Sequence, residues 1–136
     1  MEDCIFCKIV SGEVPSARVY EDEHCVAFLD INPVSRGHTL VIPREHYRDF
    51  LEAPAEQVKV LAEACSRVSP AVVKAMSAEG FNLFVANGRC AGQEIDHLHV
   101  HIIPRRAGDG LGLGWKAGRY VEGEIEEVRA AIAAQI

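Results

Sequence analysis

No stretch of this 136-residue chain approaches the roughly 18 consecutive apolar positions of a membrane-spanning helix. Its opening, Met1-Glu2-Asp3-Cys4, has neither the basic start nor the apolar run of a secretory signal, so residence in the cytoplasm is expected, with no membrane partner. Basic charge is also scarce. Fourteen Lys and Arg stand against 20 Asp and Glu, a net charge of -6, and no Lys/Arg-rich stripe is present to neutralise a phosphate backbone. A general nucleic-acid binder is thereby excluded, whereas a small phosphorylated ligand needs only a few local groups and is not. The five cysteines are an odd number in a chain without an export signal, which argues against a disulfide framework and for metal ligation or inert thiols. No repeat, linker or low-complexity tail divides the sequence, and at 49% hydrophobic and 25% charged it reads as one domain, residues 1–136, able to bury a real core.

What is present is concentrated in Gln93-Glu94-Ile95-Asp96-His97-Leu98-His99-Val100-His101-Ile102-Ile103-Pro104. Three histidines alternate there with apolar residues. A period of two is that of a strand, so His97, His99 and His101 share one face while Leu98, Val100 and Ile102 take the other. Same-face residues lie about 6.5 to 7 Å apart, close enough for three imidazoles to address one phosphate or to split between a metal and a phosphate. Glycines at 88, 92, 108, 110, 112 and 114 surround this strand with loops, the usual arrangement of a site.

Upstream, Cys4-Ile5-Phe6-Cys7-Lys8-Ile9-Val10 reads as one or two helical turns ending at Ser11-Gly12. Its Cys-x-x-Cys spacing by itself is open to a redox, a metal-binding or an incidental reading; zinc needs two further ligands, and His46 with one of the triad histidines would complete a closed Cys2His2 site that staples the amino terminus to the histidine strand. Ala17–Glu21 and Cys25–Asp30 read as a hairpin around Asp22-Glu23-His24, and His38–Ile42 as a third strand closed by Pro43. Pro54 opens a helix to about Ala78 with Val58, Leu61, Cys65, Val68, Val72 and Met76 as its buried stripe, and Pro70 is expected to kink or split it near Val68. Phe81–Asn87 forms a fourth strand, leading through Gly88 to Gly92 into the histidine strand. The run Gly108–Gly118 reads as a loop anchored by Trp115. A last amphipathic helix begins near Gly123, with acidic residues at its start and Ile125, Val128 and Ile132 as its apolar edge. The expected fold is α+β, a five-stranded antiparallel sheet with one long helix and short terminal helices.

The run His97-Leu98-His99-Val100-His101-Ile102-Ile103 resembles the signature of the histidine triad (HIT) family, and the likeness extends in order through Cys4–Ile9, Tyr20-Glu21-Asp22, Ala27–Asp30, Gly37–Pro43 with His46, and Asn87 through Gln93. It is closest to the Hint-like branch. The resemblance implies a homodimeric hydrolase or transferase acting at the α-phosphate of a purine nucleotide, such as a nucleoside phosphoramidate or a dinucleoside polyphosphate. It makes His99 the nucleophile that forms a nucleotidyl-histidine intermediate, with His38 and His101 holding the phosphate. Asn87, Gly92, Gln93 and Glu94 would stand beside it, Asp30 would accept from the ribose hydroxyls, and Ile5, Phe6, Ile9, Phe28 and Ile31 would wall the base. The matching ligands of a structural Zn2+ are Cys4, Cys7, His46 and His97. Glu94 departs from the serine common in Hint-like members, and the carboxy-terminal segment differs in length and glycine content. Three other readings stand beside hydrolysis: nucleotidyl transfer to phosphate or a sugar phosphate, a nucleotide-binding regulatory module with little turnover, and a zinc-binding interaction domain.

The chemistry of the residues supports the same assignment. With an ordinary pKa of about 6.5, an imidazole is largely unprotonated at neutral pH and can attack phosphorus, yet it leaves readily once substituted. Neighbouring imidazoles can donate to the phosphoryl oxygens as charge develops. No magnesium-binding carboxylate cluster appears, so these donors would carry that task.

Overall fold

The computed structural model describes residues 3–136, so Met1 and Glu2 lie outside the described residues. In chain order it holds α1 (Ile5–Ser11), β1 (Arg18–Glu21), β2 (Cys25–Leu29), β3 (Thr39–Pro43), α2 (Ala55–Ala75), β4 (Gly80–Phe84), β5 (Val100–Arg105) and α3 (Glu124–Ala133). The strands make one sheet in the order β1-β2-β3-β5-β4, and every neighbouring pair is antiparallel. This is the expected α+β architecture.

Each boundary has a local cause. The Cys4 sulfur accepts the Cys7 N–H at 3.4 Å and caps α1, and Gly12, at φ +83°, ends it in the left-handed conformation. The Asp22 carboxylate takes the His24 and Cys25 N–H groups, both at 2.7 Å, and turns β1 into β2. Both faces of the central strands are covered. Cys25, Ala27, Val41, Val100 and Ile102 pack with Leu61, Ala64, Cys65, Val68 and Val72 of α2, while Val26, Phe28, Leu40 and Ile42 pack with Phe6 and Ile9 of α1. Doubly covered strands need apolar residues at every position, which explains the unbroken runs of β2 and β3. On the edge strand β4 the outward Phe81 and Leu83 alternate with partly buried neighbours.

Ile42 is fully buried in the cluster beneath α1. Ile42→Ala is expected to cost about 2–5 kcal/mol, read as a lower urea midpoint with an unchanged slope. A loss well under 1 kcal/mol would mean that α1 does not seal this side of the sheet.

Three expectations are corrected. Pro70 does not split the long helix, which is continuous over Ala55–Ala75. A proline removes only its own N–H, here the bond to the Ser66 carbonyl, and the buried stripe from Leu61 to Val72 supplies enough packing to carry the chain past it. The last strand starts at Val100 and not at His97, because the Leu98 N–H is taken by the Tyr47 carbonyl at 2.7 Å instead of by a sheet neighbour. No residue of α3 is buried, and along its apolar edge Ile125 and Ile132 are exposed while Val128 is half-buried. Trp115 is 80% exposed and anchors no loop. Among the remaining cysteines, Cys25 and Cys65 are buried, their thiols pushed up to about 12 and about 11 by burial, but Cys90 is exposed. No described helix is long and apolar enough to cross a membrane.

Candidate active site

Two clusters meet where the amino terminus, the loop after β3 and the approach to β5 converge. In the first, Cys4 and Cys7 stand on the first turn of α1, His46 on the loop beyond Pro43, and His97 just before β5. The His97 Nδ1 lies 3.4 Å from the Cys4 sulfur and 3.6 Å from that of Cys7, and the His46 Nδ1 lies 3.4 Å from Cys7. Tetrahedral zinc with bonds of about 2.3 Å to sulfur and 2.0–2.1 Å to nitrogen has S···N edges of about 3.6 Å, so these spacings fit it. The tautomer fits as well. His97 Nε2 lies 2.9 Å from the Pro43 carbonyl and so carries the proton, leaving a lone pair on Nδ1 toward the sulfurs. Burial holds the His97 imidazole down at about 4, neutral as a ligand must be.

The second cluster is His38, His99 and His101, with Asp30 at its rim. The rings of His99 and His101 are 4.9 Å apart and those of His38 and His101 5.1 Å. Burial is the largest influence on all three imidazoles and lowers each, that of His101 to about 4, so they are neutral near pH 7 and each carries one proton. Hydrogen-bond partners then decide where that proton sits. His99 Nδ1 lies 2.6 Å from the His97 carbonyl, an acceptor only, so Nδ1 is protonated and Nε2 is a bare lone pair. His38 Nδ1 accepts the Val34 N–H at 3.1 Å, which puts the His38 proton on Nε2. That Nε2 lies 2.8 Å from His101 Nδ1 and donates to it, which leaves His101 with its own proton on Nε2. A directed chain results, from the Val34 amide through two rings to an outward donor.

Asp30, His38 and His101 offer donor atoms within 4.8 Å of one another, a spacing that a cation could span. As bonded, however, His38 has no lone pair to give, because Val34 occupies one nitrogen and a proton the other. The group is therefore a hydrogen-bond chain, with the Asp30 carboxylate 3.7 Å from His38 Nε2.

The other residues singled out in the sequence are distributed around this centre. Phe6 lies edge-on to His99 at 5.2 Å and to Phe28 at 5.5 Å. Phe6, Ile9 and Phe28 are buried with Leu40 and Ile42 and form the floor behind the histidines, whereas Ile5 is partly exposed and Ile31 is 91% exposed. Asp30 uses Oδ1 to accept the Asn32 N–H. Asn87 uses its Oδ1 to accept the Phe50 N–H at 2.8 Å. Gln93 is buried with every polar atom engaged, its Oε1 accepting the Gly88 N–H and its Nε2 donating to the Arg48 and Ile95 carbonyls. It braces the loop. Gly88 and Gly92, at φ +92° and +96°, take backbone conformations that favour glycine and let the loop turn. Glu94 is exposed, its carbonyl held by Arg89 at 2.9 Å. Sequence reasoning missed the groups that set the tautomers, namely the His97 and Pro43 carbonyls and the Val34 N–H, because backbone atoms leave no mark on residue identity. It also missed Phe84, whose ring lies 5.6 Å from that of His101; cross-strand register, not spacing, brings the two together.

The chain is similar to known proteins. An adenosine 5'-monophosphoramidase hnt1 of Schizosaccharomyces pombe is 40% identical over 137 residues, covering 98% of each chain. An adenylylsulfatase HINT3 of Arabidopsis thaliana is 48% identical over 109 residues, 80% of this chain but 55% of that one. Among solved structures, SMU.412c from Streptococcus mutans superposes with a TM-score of 0.96 at 40% identity, over 99% of this chain and 86% of that one. A Zn-bound histidine triad family protein from Mycobacterium smegmatis superposes with a TM-score of 0.78 at 39% identity, over 98% and 96%. The model of the HIT domain matches residues 11–108. With the fold, the histidine cluster and these likenesses in agreement, the chain belongs to the HIT family.

Proposed function

We propose that this chain is a Hint-like purine-nucleotide hydrolase of a single HIT-like domain, acting as a cytoplasmic homodimer. It would cleave a nucleoside phosphoramidate or a related nucleotide at the α-phosphate through His99. The observation that carries this reading is the hydrogen bond from His99 Nδ1 to the His97 carbonyl, which aims an unprotonated Nε2 out of a buried, neutral ring. A nucleophile needs such a lone pair, and here no base has to remove a proton first. In the first step Nε2 bonds to the α-phosphorus while the bond from phosphorus to the leaving amine breaks, and the amine leaves with a proton taken from solvent, which the second step returns. Water then bonds to phosphorus, the P–Nε2 bond breaks, a proton is lost and a nucleoside monophosphate departs. The outward Nε2–H of His101, kept a donor by His38, suits the phosphoryl oxygens as charge builds on them. The Gly88–Gly92 turn, braced by Gln93, and Asn87 would flank that phosphate. Glu94, on the exposed side of the loop, can keep its carboxylate hydrated and away from the phosphate.

Two relatives support the reaction class, the monophosphoramidase of Schizosaccharomyces pombe and the adenylylsulfatase of Arabidopsis thaliana. The test is intact-protein mass spectrometry after brief mixing with adenosine 5′-phosphoramidate, with AMP release followed in parallel. A transient adduct of one adenylyl group supports the reading. Bound nucleotide with neither adduct nor AMP would overturn it, and a nucleoside diphosphate formed on adding phosphate would instead make the chain a transferase.

Asp30 is assigned to the ribose hydroxyls. Asp30→Asn is expected to weaken AMP binding on the order of tenfold, since a charge-assisted bond is worth about 1.5–3 kcal/mol. It should leave 2′,3′-dideoxy-AMP binding nearly unchanged. Equal losses for both ligands, measured by calorimetry, would remove the assignment.

A further inference from the structure

His38 owes its place to the loop of residues 30–38. The Val34 N–H holds its ring, the Ser35 carbonyl accepts its own N–H at 3.0 Å, and its carbonyl accepts the Asp30 N–H at 3.0 Å. Ser35 Oγ donates to the Pro104 carbonyl at 2.8 Å, and Thr39 Oγ1 to that of Gly37 at 2.8 Å. All of these bonds set the loop's shape. None of them rises from the α2 side of the sheet, where Gly37 stands at φ +94°.

Two side chains reach the loop from there, Pro104, whose Cγ would lie 3.5 Å from a Cβ on Gly37, and, much closer, Met76. A Cβ placed on Gly37 would lie 2.4 Å from Met76 Cγ and 2.8 Å from its sulfur, so Met76 already occupies the space over the Gly37 Cα. Met76 caps the end of α2, its N–H bonded to the Val72 carbonyl at 3.0 Å and its own carbonyl taken by the Arg106 guanidinium. Its other flank borders an apolar cavity of about 310 Å³ between α2 and the β1–β2 edge, lined also by Leu29, Val68, Ala71 and Val72. The side chain is thus fixed at its root, soft at its tip, and pressed against the residue that precedes His38.

We propose that Met76 is a positioning residue for the histidine centre, its side chain setting the height of Gly37 and hence the direction in which His38 presents its Nε2–H to His101. Without it, Gly37 can sink toward the cavity, the Val34 bond to His38 Nδ1 lengthens, and the ring exchanges between tautomers. His101 then no longer keeps its outward donor. The kinetic consequence rests on the nucleotide-hydrolase reading, but the tautomer does not.

The cavity makes the test clean. Truncating Met76 enlarges a space already open to solvent and does not create a sealed void, so most of the native stability is retained. Met76→Ala, Met76→Leu, Gly37→Ala and the Met76→Ala/Gly37→Ala pair are compared with the wild type by kcat and KM for adenosine 5′-phosphoramidate. Thermal midpoints and long-range ¹H–¹⁵N correlation of the imidazole nitrogens without ligand complete the set. Met76→Ala is expected to lower kcat on the order of tenfold with KM changed far less, and to turn His38 from one tautomer into a mixture. Met76→Leu, which refills the space over Gly37, should restore kcat and tautomer together. In Gly37→Ala the new methyl displaces Met76, so with Met76 already truncated it does less harm. The pair should lose about tenfold less than the product of the single losses. Strictly multiplicative losses, or a Met76→Ala protein with wild-type kcat and an unmixed His38, would overturn the proposal. If the wild type itself proves inactive, the hydrolase reading fails, and the His38 tautomer in Met76→Ala still decides this one.

Discussion

Replacing His99 by alanine is expected to lower AMP release from adenosine 5′-phosphoramidate by about 10⁴-fold or more, and to abolish the adenylyl adduct altogether. The magnitude follows from removing a covalent route rather than one of several contacts, and 10⁴-fold corresponds to about 5.5 kcal/mol of barrier. His101→Ala should be milder, about 10²–10³-fold, because it removes one donor to a developing charge and leaves the nucleophile in place. The two variants therefore separate attack from charge stabilisation: a residual adduct is expected with His101→Ala and none with His99→Ala. Loss of the imidazole also leaves a space beneath the edge of Phe6, 5.2 Å from the His99 ring. Added imidazole can enter it, attack the α-phosphorus from that position and restore part of the turnover without any protein adduct. A fallen rate that imidazole does not restore, in a protein with an unchanged thermal midpoint, would point to a positional role for His99. Turnover within tenfold of the wild type would end the nucleophile assignment.

Much of this centre was legible in the sequence, because alternation, cap residues and turn residues act locally. The period of two through His97, His99 and His101 placed three rings on one side of the chain, and their division between a metal and a phosphate was open from the start. Which ring does what was not legible in the spacing and came only from the family resemblance. His97 turns to the cysteines because Pro43 takes its Nε2–H, and His99 turns its Nε2 outward because the His97 carbonyl takes its Nδ1–H. Both acceptors are backbone atoms delivered by tertiary packing. Pro70 illustrates the opposite error, a strong local rule overruled by packing along one helix face. The apolar edge of α3 was read as a pattern, and periodicity states that a face is apolar and not what it meets: Ile125 and Ile132 are exposed. Gln93 was expected beside the phosphate, and its amide is engaged in the loop itself, a role only hydrogen bonds reveal.

The cysteine cluster should matter most to stability. For a chain of 136 residues, zinc at a thousandfold over its Kd adds about 4 kcal/mol, equivalent to roughly 12–16 °C in thermal midpoint. Chelated protein, or Cys7→Ser, is expected to melt lower by about that amount, whereas Cys90→Ser, at an exposed position, should melt as the wild type does. Cobalt bound in place of zinc should show thiolate-to-metal charge transfer in the near ultraviolet, lost in Cys7→Ser. A metal-free protein melting within about 2 °C of the loaded one would remove the staple, and a cobalt spectrum without thiolate bands would place the metal elsewhere. The order of losses follows from the geometry. Cys4 and Cys7 enclose Ile5 and Phe6 in the first turn of α1, and Phe6 packs edge-on against both His97 and His99. His99, however, is oriented by the backbone carbonyl of His97 and not by the ring of that residue, which faces the cysteines. Metal loss should therefore loosen α1 and lower the melting point first. Nucleotide binding should fail only at temperatures where the turn bearing Phe6 has come away from the sheet.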